Sequence, residues 1–378
     1  MTRKTADKPH ILFLFSDTGG GHRSAAKAII EALELYHPGK VTTEMLDFFV
    51  EYAPPPFDMA VTTYAPMAQV PDLWELGYKL SNGKWRGKLV QDVLWPYIRK
   101  SAKKLIEEHP CDLFLSVHPI INTPILRALG DDHVPYMIVI TDMVSTHTFW
   151  YSNSADLILT PTEVAKLRGI GIGIDPDRME IVGQPIADKF RRPTASKAEL
   201  REMLGWPQDK KVVLVIGGGD GMGPVEETVL AVNEAGLDLV LAVIAGRNEA
   251  LQNSLENADL STPAFIYGFV ENMPDLMNAA DILLSKAGPG TISEAFIAGL
   301  PIILYSKMPG QENGNVDFVL NENAGVWAPT PEEILTTLRN WIANPDILAE
   351  MAATSKGLAI PDASYDIAQR IIDTVSGA

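Results

Sequence analysis

The sequence has one cysteine, Cys111, among 378 residues. A single thiol excludes a disulfide framework and a thiolate metal cluster, and it is typical of a protein from a reducing compartment. No apolar run approaches the ~18 residues that a membrane-spanning helix requires. The first ten residues, MTRKTADKPH, lead straight into a short apolar segment and do not have the pattern of a signal peptide. We therefore expect a protein that is soluble or bound to a membrane surface.

Basic residues are also scarce, because 31 Lys and Arg stand against 48 Asp and Glu and give a net charge of −17. This balance argues against nucleic acid as a partner. Hydrophobic residues make up 46% of the chain and charged residues 21%, which is the composition of a globular protein. In so acidic a chain, a local cluster of basic residues is informative.

A chain of 378 residues is longer than the domains that one hydrophobic core usually supports, so the length predicts two domains. Short apolar segments alternate with helical ones, first over residues 11–159 and again from 212, and a polar, proline-bearing stretch separates them at 183–207. This alternation predicts parallel sheets covered by helices on both faces, that is, an α/β fold of two doubly wound, Rossmann-like domains. We place the domains at 1–190 and 191–360, and we expect a C-terminal helix within 361–378 to pack on the first domain. Two further helices are predicted at 24–35 and 88–108, the second one interrupted near Pro96.

The segment 281–314 reads DILLSKAGPGTISEAFIAGLPIILYSKMPGQENG and predicts a strand, a glycine loop, a helix and a second strand. This arrangement aims free backbone N–H groups and the positive end of a helix dipole at a phosphate. Glu294, about one turn into the helix, is placed to accept hydrogen bonds from a ribose diol. Gln311 and Glu312 follow the next strand and can bond sugar hydroxyls. The alternative is a helix-capping loop with a solvated glutamate, but the second polar cluster favours a nucleotide-sugar site.

The glycine loops do not fit two better-known nucleotide sites. A dinucleotide fold needs an acidic residue at the end of the strand after its glycine loop, and here that strand ends at Ala245-Gly246-Arg247. The first loop, GGGH, has the wrong spacing, and the P-loop motif of NTPases is absent. Gly219, Asp220 and Gly221 still suit close approach to a diphosphate, whose charge Arg247 would complement.

His22 ends the first glycine loop, at the predicted carboxyl edge of the first sheet, where open α/β sheets bind ligands. A neutral imidazole there can take a proton from an acceptor hydroxyl. Asp142 or Asp17 would fix its tautomer. His118 and His147, at comparable strand ends, compete for the role, and a purely structural histidine is the alternative. No His, Cys and Asp cluster has metal-binding spacing, so we expect no metal and no cofactor.

A basic and aromatic segment lies between residues 79 and 104. Eight Lys and Arg face a single acid, Asp92, which gives a local net charge of +7. Trp85, Trp95 and Tyr97 are interleaved with them. This combination is typical of a peripheral protein that binds an anionic membrane surface, although a solvated helix face would have a similar composition.

These motifs resemble those of the monogalactosyldiacylglycerol synthase and diacylglycerol glucosyltransferase group, related to the peptidoglycan glycosyltransferase MurG. The resemblance rests on SDTGGGHRSAAKAI, SVHPIINTPILRAL, VITDMVSTHTFW, GGGDGMG, YGFVENMPDLMNAADILLSKAGPGTISEA and PGQENGNV. It implies a GT-B fold, with two Rossmann-like domains facing across a cleft. The implied activity is metal-free, inverting transfer of a hexose from UDP-galactose or, second in preference, UDP-glucose to diacylglycerol, by a cytoplasmic enzyme peripheral on the inner face of the cell membrane. A MurG-like enzyme with another lipid-linked acceptor and a UDP-sugar 2-epimerase are the alternatives.

The resemblance also implies roles for individual residues. His22 would be the catalytic base and Asp142 its orienting partner. In the donor site, Phe269 and Val270 would hold the uracil, Glu294 the ribose, and Gly288, Gly290 and Thr291 the diphosphate, while Gln311, Glu312 and Asn315 would face the hexose. Gly219 and Arg247, which the glycine loop and the strand end already indicate, complete the predicted donor site. The residues expected at the acceptor and membrane side are Gly20, Gly21, Lys84, Trp85, Arg86, Lys88 and Trp95.

Overall fold

The structure, a computed structural model, describes residues 8–17, 20–59, 70–131, 133–219, 221 and 223–377. Contacts between residues divide the chain into two compact units. The first contains the described residues up to Asp188, together with Pro309–Gln311 and the residues from Pro361 onward. The second contains Lys189–Met308 and Glu312–Ile360.

The first unit is built on six parallel strands in the order β2-β1-β3-β4-β5-β6. The strands are β1 His10–Phe15, β2 Thr42–Asp47, β3 Leu113–Ser116, β4 Tyr136–Val139, β5 Leu157–Thr160 and β6 Met179–Ile181. Its helices are α1 Gly21–Tyr36, α2 Phe48–Glu51, α3 Pro71–Ser81, α4 Lys84–Glu108, α5 Pro119–Leu129, α6 Glu163–Ile172 and the C-terminal α15 Ala363–Ser376. Short 3₁₀ turns cover Phe57–Met59, Thr148–Trp150 and Pro176–Arg178, and a fourth, Asp188–Phe190, spans the boundary between the two units in the chain.

The C-terminal helix α15 completes a core of the first unit. Its Ile367 and Ile371 are fully buried and pack in the same apolar cluster as Ile29 and Leu33 of α1. Small alanines on the buried side of α1 allow α1 and α15 to approach closely, and the longer side chains of the cluster fill the remaining space between the helices. Helix α15 is therefore part of the unit that contains β1 and α1.

The second unit has six parallel strands in the order β12-β11-β10-β7-β8-β9. The strands are β7 Lys211–Ile216, β8 Leu239–Ile244, β9 Ala264–Tyr267, β10 Ile282–Lys286, β11 Ile302–Ser306 and β12 Gly325–Trp327. The helices are α7 Lys197–Leu204, α8 Val225–Glu234, α9 Glu249–Glu256, α10 Met273–Ala279, α11 Pro289–Ala298, α12 Asn313–Asn321, α13 Pro331–Ala343 and α14 Pro345–Gly357. This is the strand order of a dinucleotide-type Rossmann sheet, with the change of winding direction between β7 and β10.

The predicted α/β class with Rossmann-like sheets is confirmed, two local expectations were wrong, and two short strands were not predicted. Helix α1 begins at Gly21, not at residue 24, because Gly20 adopts a left-handed conformation (φ 74°) that starts the helix earlier. Helix α4 continues through Pro96, since a proline on an exposed position removes one hydrogen bond of a 25-residue helix without breaking its packing. The three-residue strands β6 and β12 are too short to produce a periodic signal. Among the described residues, no helix is both long enough and apolar enough to cross a membrane.

Candidate active site

The first glycine loop places His22 in the first turn of α1, immediately after β1. Gly20 needs its left-handed backbone, which other residues adopt at a steric cost. A Cβ atom on Gly21 would meet no other atom within 4 Å, so packing within the protein does not require glycine there. Contact of Gly21 with an acceptor therefore stays a prediction, and His22 is the next residue in the chain.

The imidazole of His22 lies among side chains from the ends of neighbouring strands. Its Nδ1 atom is 2.9 Å from the hydroxyl of Thr141, which follows β4. The ring of His118, after β3, meets it edge-on with centroids 4.7 Å apart, and the Trp150 ring is 6.0 Å away. These contacts fix the orientation of a ring that is still partly exposed.

Burial lowers the pKa of His22 to about 4, while a hydrogen bond to the backbone of Val117 and the charge of Asp17 act in the opposite direction. The ring is therefore neutral at physiological pH. A neutral imidazole has one nitrogen free to accept a proton.

Two carboxylates were predicted to orient His22. Asp142 is buried and accepts hydrogen bonds from the Trp150 indole at 2.7 Å and from the Gln311 amide at 3.1 Å. The carboxylate of Asp17 is 3.1 Å from the Arg23 Nε atom. The hydrogen bond on the His22 Nδ1 atom is made by Thr141, which we had not predicted, so the orienting role of either aspartate stays a prediction.

The competing histidines have different surroundings. The Nδ1 atom of His147 accepts from the Phe149 N–H at 3.1 Å, which caps the turn Thr148–Trp150, and its Nε2 atom is 3.1 Å from the Ser81 hydroxyl at the end of α3, so both nitrogens contact protein groups. Burial lowers the pKa of His147 to about 4. His118 is buried, and burial together with the neighbouring His22 lowers its pKa well below the usual value. Of the three, His22 is the most accessible to a substrate.

In the second unit, the predicted donor residues follow four adjacent strands. Gly219 comes after β7, Arg247 after β8, Phe269 after β9, and the loop 287–291 after β10. Since these strands are neighbours in the sheet and parallel, their following loops lie along one edge. The structure thus brings together residues that are up to 72 positions apart.

Arg247, Phe269 and Gly219 form one group. The guanidinium carbon of Arg247 is 5.8 Å from the centroid of the Phe269 ring, and the Arg247 N–H donates to the Gly219 carbonyl at 3.0 Å. The Phe269 ring is 62% exposed, which leaves an aromatic face available for stacking with a flat base. Val270 beside it is partly buried. Asp220, also predicted here, lies outside the described residues.

The loop after β10 leads into α11, with Gly288 as the residue before the first turn and Pro289 as the first helical residue. The helix geometry leaves the N–H groups of Gly290 and Thr291 without intrahelical acceptors. A Cβ atom on Gly290 would meet no atom within 4 Å, and one on Gly288 would meet only the Lys286 ammonium, at 3.9 Å. Backbone donors at a helix N-terminus with open approach are the elements of an anion site.

Glu294 lies in the second turn of α11 and is partly buried. Burial raises the pKa of its carboxyl group to about 8, against the opposing charge of Lys189. At neutral pH this carboxyl group is mostly protonated. Hydrogen bonds donated by a ribose diol would favour the ionised form of this carboxyl group, whose oxygens accept them.

Two of the three residues predicted to face the hexose bind other protein groups. Glu312 is buried, accepts from the Met308 N–H at 2.6 Å and forms an ion pair with Lys286. Asn315 is buried and donates from its amide to the Ala287 carbonyl at 2.9 Å, which braces the glycine loop. The third, Gln311, is the partner of Asp142 described above, and contact of any of the three with a hexose stays a prediction. Within the described part of the chain, no three His, Cys, Asp or Glu side chains form a group able to hold a metal ion.

Helices α3 and α4 carry an unusual concentration of exposed apolar side chains. On α4 they recur every four residues and form what we call the apolar stripe. On α3 they recur at spacings of three and four, with Lys84, Arg86 and Lys88 exposed nearby. Trp95 is instead partly buried, with the Arg127 guanidinium 5.8 Å from its ring centroid. The stripe consists of Trp85, Leu89, Val93 and Tyr97, and the α3 residues are Leu73, Leu76 and Leu80, all more than half exposed.

Comparison with known proteins identifies the family. A family model described as monogalactosyldiacylglycerol (MGDG) synthase matches residues 22–186, and one for the glycosyltransferase family 28 C-terminal domain matches residues 212–370. Monogalactosyldiacylglycerol synthase 2, chloroplastic, of Arabidopsis thaliana is 33% identical over 374 residues, which cover 96% of this chain and 80% of that protein.

Solved structures share the fold at low sequence identity. MurG of Acinetobacter baumannii superposes with a TM-score of 0.62 at 17% identity and covers 98% of this chain and all of that one. A UDP-GlcNAc 2-epimerase from Neisseria meningitidis, bound to UDP-GlcNAc, gives a TM-score of 0.63 at 14% identity and covers 96% of this chain and all of that one. The two family models, the near full-length relative and the shared GT-B-like fold agree: this chain belongs to the monogalactosyldiacylglycerol synthase family of glycosyltransferases.

Proposed function

We propose that this protein transfers a hexose, with inversion at the anomeric carbon, from a UDP-sugar to the hydroxyl group of diacylglycerol. The observation that carries the proposal is the partly exposed, neutral His22, held by Thr141 at the carboxyl edge of the first sheet. The names of the relatives, which are monogalactosyldiacylglycerol synthases, support galactose as the sugar and diacylglycerol as the acceptor.

The donor binds at the edge of the second sheet. Phe269 stacks on the uracil beside Val270, and Glu294 holds the ribose diol. The N–H groups at the start of α11 and the charge of Arg247 bind the diphosphate. A structural neighbour with UDP-GlcNAc bound supports a UDP-sugar as the donor class.

In the reaction, the acceptor oxygen forms a bond to the anomeric carbon while the bond from that carbon to the β-phosphate oxygen breaks. The electron pair of the broken bond leaves with UDP, and the proton of the acceptor hydroxyl passes to the free nitrogen of His22. Backbone donors and cations aimed at the diphosphate stabilise the charge that develops there. The hexose of the donor lies next to Gln311, Glu312 and Asn315.

The apolar stripe and the exposed leucines of α3 insert into the membrane surface, and Lys84, Arg86 and Lys88 contact anionic head groups. This surface favours a lipid acceptor over a free sugar nucleotide, because an epimerase has no use for a membrane. The plant relatives carry the word chloroplastic in their names, so they do not support a location on the inner face of a cell membrane. The compartment of this chain stays a prediction.

The test is to incubate the purified protein with diacylglycerol in anionic liposomes and with either UDP-galactose or UDP-glucose, followed by mass and sugar analysis of the lipids. A β-galactosyl lipid from UDP-galactose is expected. A product only from UDP-glucose would change the donor. Conversion of the free nucleotide sugar without lipid would indicate an epimerase, and no glycolipid from liposomes that carry bound protein would point to another lipid acceptor, as in MurG.

A further inference from the structure

Lys286 is the last residue of β10, directly before the glycine loop, and its backbone is irregular. Ser285 pairs with Leu304 of β11, but Lys286 pairs with Ser306, so the register between the two strands shifts at this point. Such bulges re-aim a side chain at the end of a strand and are common beside active sites. The side chain of Lys286 is thereby freed from the regular alternation of the sheet.

The ammonium of Lys286 is held by one carboxylate. It forms an ion pair with Glu312, and the two side chains are only 18% and 7% exposed. The other oxygen of Glu312 accepts from the Met308 N–H, which fixes the carboxylate in turn. Burying such a pair costs desolvation energy that well-packed apolar residues would not cost, so this pair is poorly explained as a contribution to stability alone.

The pair lies against the predicted phosphate loop. A Cβ atom on Gly288 would come within 3.9 Å of the Lys286 Nζ atom, and Gly290 and Thr291 present their N–H groups two and three positions further along the chain. An ammonium has three donors, so one bond to Glu312 leaves capacity for other acceptors. A fixed cation beside free backbone donors matches the charge and the hydrogen-bonding needs of a diphosphate.

We infer that Lys286 binds the diphosphate of the donor and stabilises the negative charge on the departing UDP, with Glu312 as the counterion that holds its ammonium in position. The inference rests on the proposed function, since it assigns a residue of the donor site. Lys286 remains an ammonium throughout and exchanges no proton with the substrates, while the bonds form and break as described above.

The test compares the affinities of UDP and uridine by isothermal titration calorimetry, because the two ligands differ only in the diphosphate. In Lys286→Met, UDP affinity is expected to fall roughly tenfold to a hundredfold, the loss of one charge-assisted hydrogen bond. Uridine affinity should change less than twofold. A residue with only a structural role would weaken both ligands together.

Lys286→Met leaves Glu312 buried and uncompensated, which can prevent folding. The double variant Lys286→Met, Glu312→Gln removes both charges and should show the same selective loss of UDP affinity. Lys210→Met is the matched control, because Lys210 pairs with Asp238 at 3.0 Å before β7, at the opposite edge of the same sheet.

The expected result is a reduced preference for UDP over uridine in the double variant and an unchanged one in the control. An unchanged preference in the double variant would overturn the role of Lys286 while leaving the proposed function intact. If the wild-type protein binds neither UDP nor uridine, the proposed function fails first and the role of Lys286 fails with it.

Discussion

The Nδ1 atom of His22 and the hydroxyl oxygen of Thr141 are 2.9 Å apart, although 119 positions separate the two residues in the chain. The contact links the first turn of α1 to the end of β4, and it occupies one of the two ring nitrogens of His22. We propose that the opposite nitrogen, Nε2, takes the proton from the acceptor, which requires that Nδ1 carries the ring hydrogen and donates it to the Thr141 hydroxyl.

Replacement of His22 by alanine is expected to lower kcat by roughly 10²–10⁴, the range for loss of a general base. UDP affinity should stay the same, because the residues proposed to bind the uracil, ribose and diphosphate lie in the second unit. The measurement is steady-state glycolipid synthesis together with UDP titration. His37→Ala is the control, since His37 follows the same helix at its other end, and activity near the wild-type level in His22→Ala would exclude His22 as the base.

Thr141→Val removes the hydroxyl group and keeps the shape of the side chain. With its Nδ1 partner gone, the His22 ring loses its fixed orientation, and we expect kcat to fall roughly tenfold, as for the loss of one hydrogen bond. Thr141→Ser restores the hydroxyl and should restore most of the activity. If Thr141 positions His22, the Thr141→Ser variant must be more active than Thr141→Val. Equal activity in the two variants would contradict the positioning role of Thr141.

The raised pKa of Glu294 predicts a pH-dependent affinity for the donor. Hydrogen bonds from a ribose diol favour the ionised carboxylate, so binding lowers the pKa from about 8 and releases a proton. UDP affinity should therefore rise from pH 6 to pH 8. Calorimetry in buffers of different ionisation enthalpy measures the released proton directly.

Glu294→Gln is the control for this effect, because the amide does not titrate and the remaining pH dependence belongs to UDP itself. Ionisation of Glu294 has the opposite effect on the free energy of unfolding, which decreases as the pH rises. Its folded pKa lies above the unfolded value of about 4.5, so its contribution is present below that pH and is lost as the pH rises through about 8. Identical pH profiles of UDP affinity in wild type and variant would show that Glu294 does not bind the ribose.

The apolar stripe predicts a specific loss of membrane binding. Burial of one large apolar side chain contributes about 1.5–3 kcal/mol, so Leu89→Ser should weaken binding to liposomes roughly tenfold or more. Co-sedimentation with vesicles that contain anionic lipid measures the effect. Leu167→Ser is matched to it, since Leu167 is also more than half exposed but lies on α6, and equal losses in both variants would argue against a defined membrane face.

Much of the fold could be predicted from the sequence where the local pattern is strong. The segment 281–314 has the predicted order of strand, glycine loop, helix and strand, in β10, α11 and β11, because glycine and proline mark clear breaks between its apolar runs. Helix α15 lies within the predicted range 361–378. The edge strands β6 and β12 were missed, since three residues show no period.

In the site, the glycine loop before α11 was recognisable, because glycine and proline interrupt a strand and a helix at that point. The pairing of Lys286 with Glu312 could not be predicted, since it joins the end of β10 to the residue before α12, and only the folded chain brings these two positions together. For the same reason Thr141 was overlooked in favour of the adjacent Asp142. The apolar stripe could have been predicted, since its four residues recur every four positions. Trp95 was assigned to the membrane surface because it is an aromatic residue in a basic segment, but it does not belong to the stripe and is partly buried.

Helix α15 has a consequence for how the protein is made. The apolar side of α1 is covered in part by Ile367 and Ile371, which are synthesised after every residue of the second unit. During synthesis on the ribosome the second unit can complete its core first. The first unit emerges earlier but cannot complete its core until α15 has been synthesised. Shortening the carboxyl terminus would therefore damage the half of the molecule that carries His22.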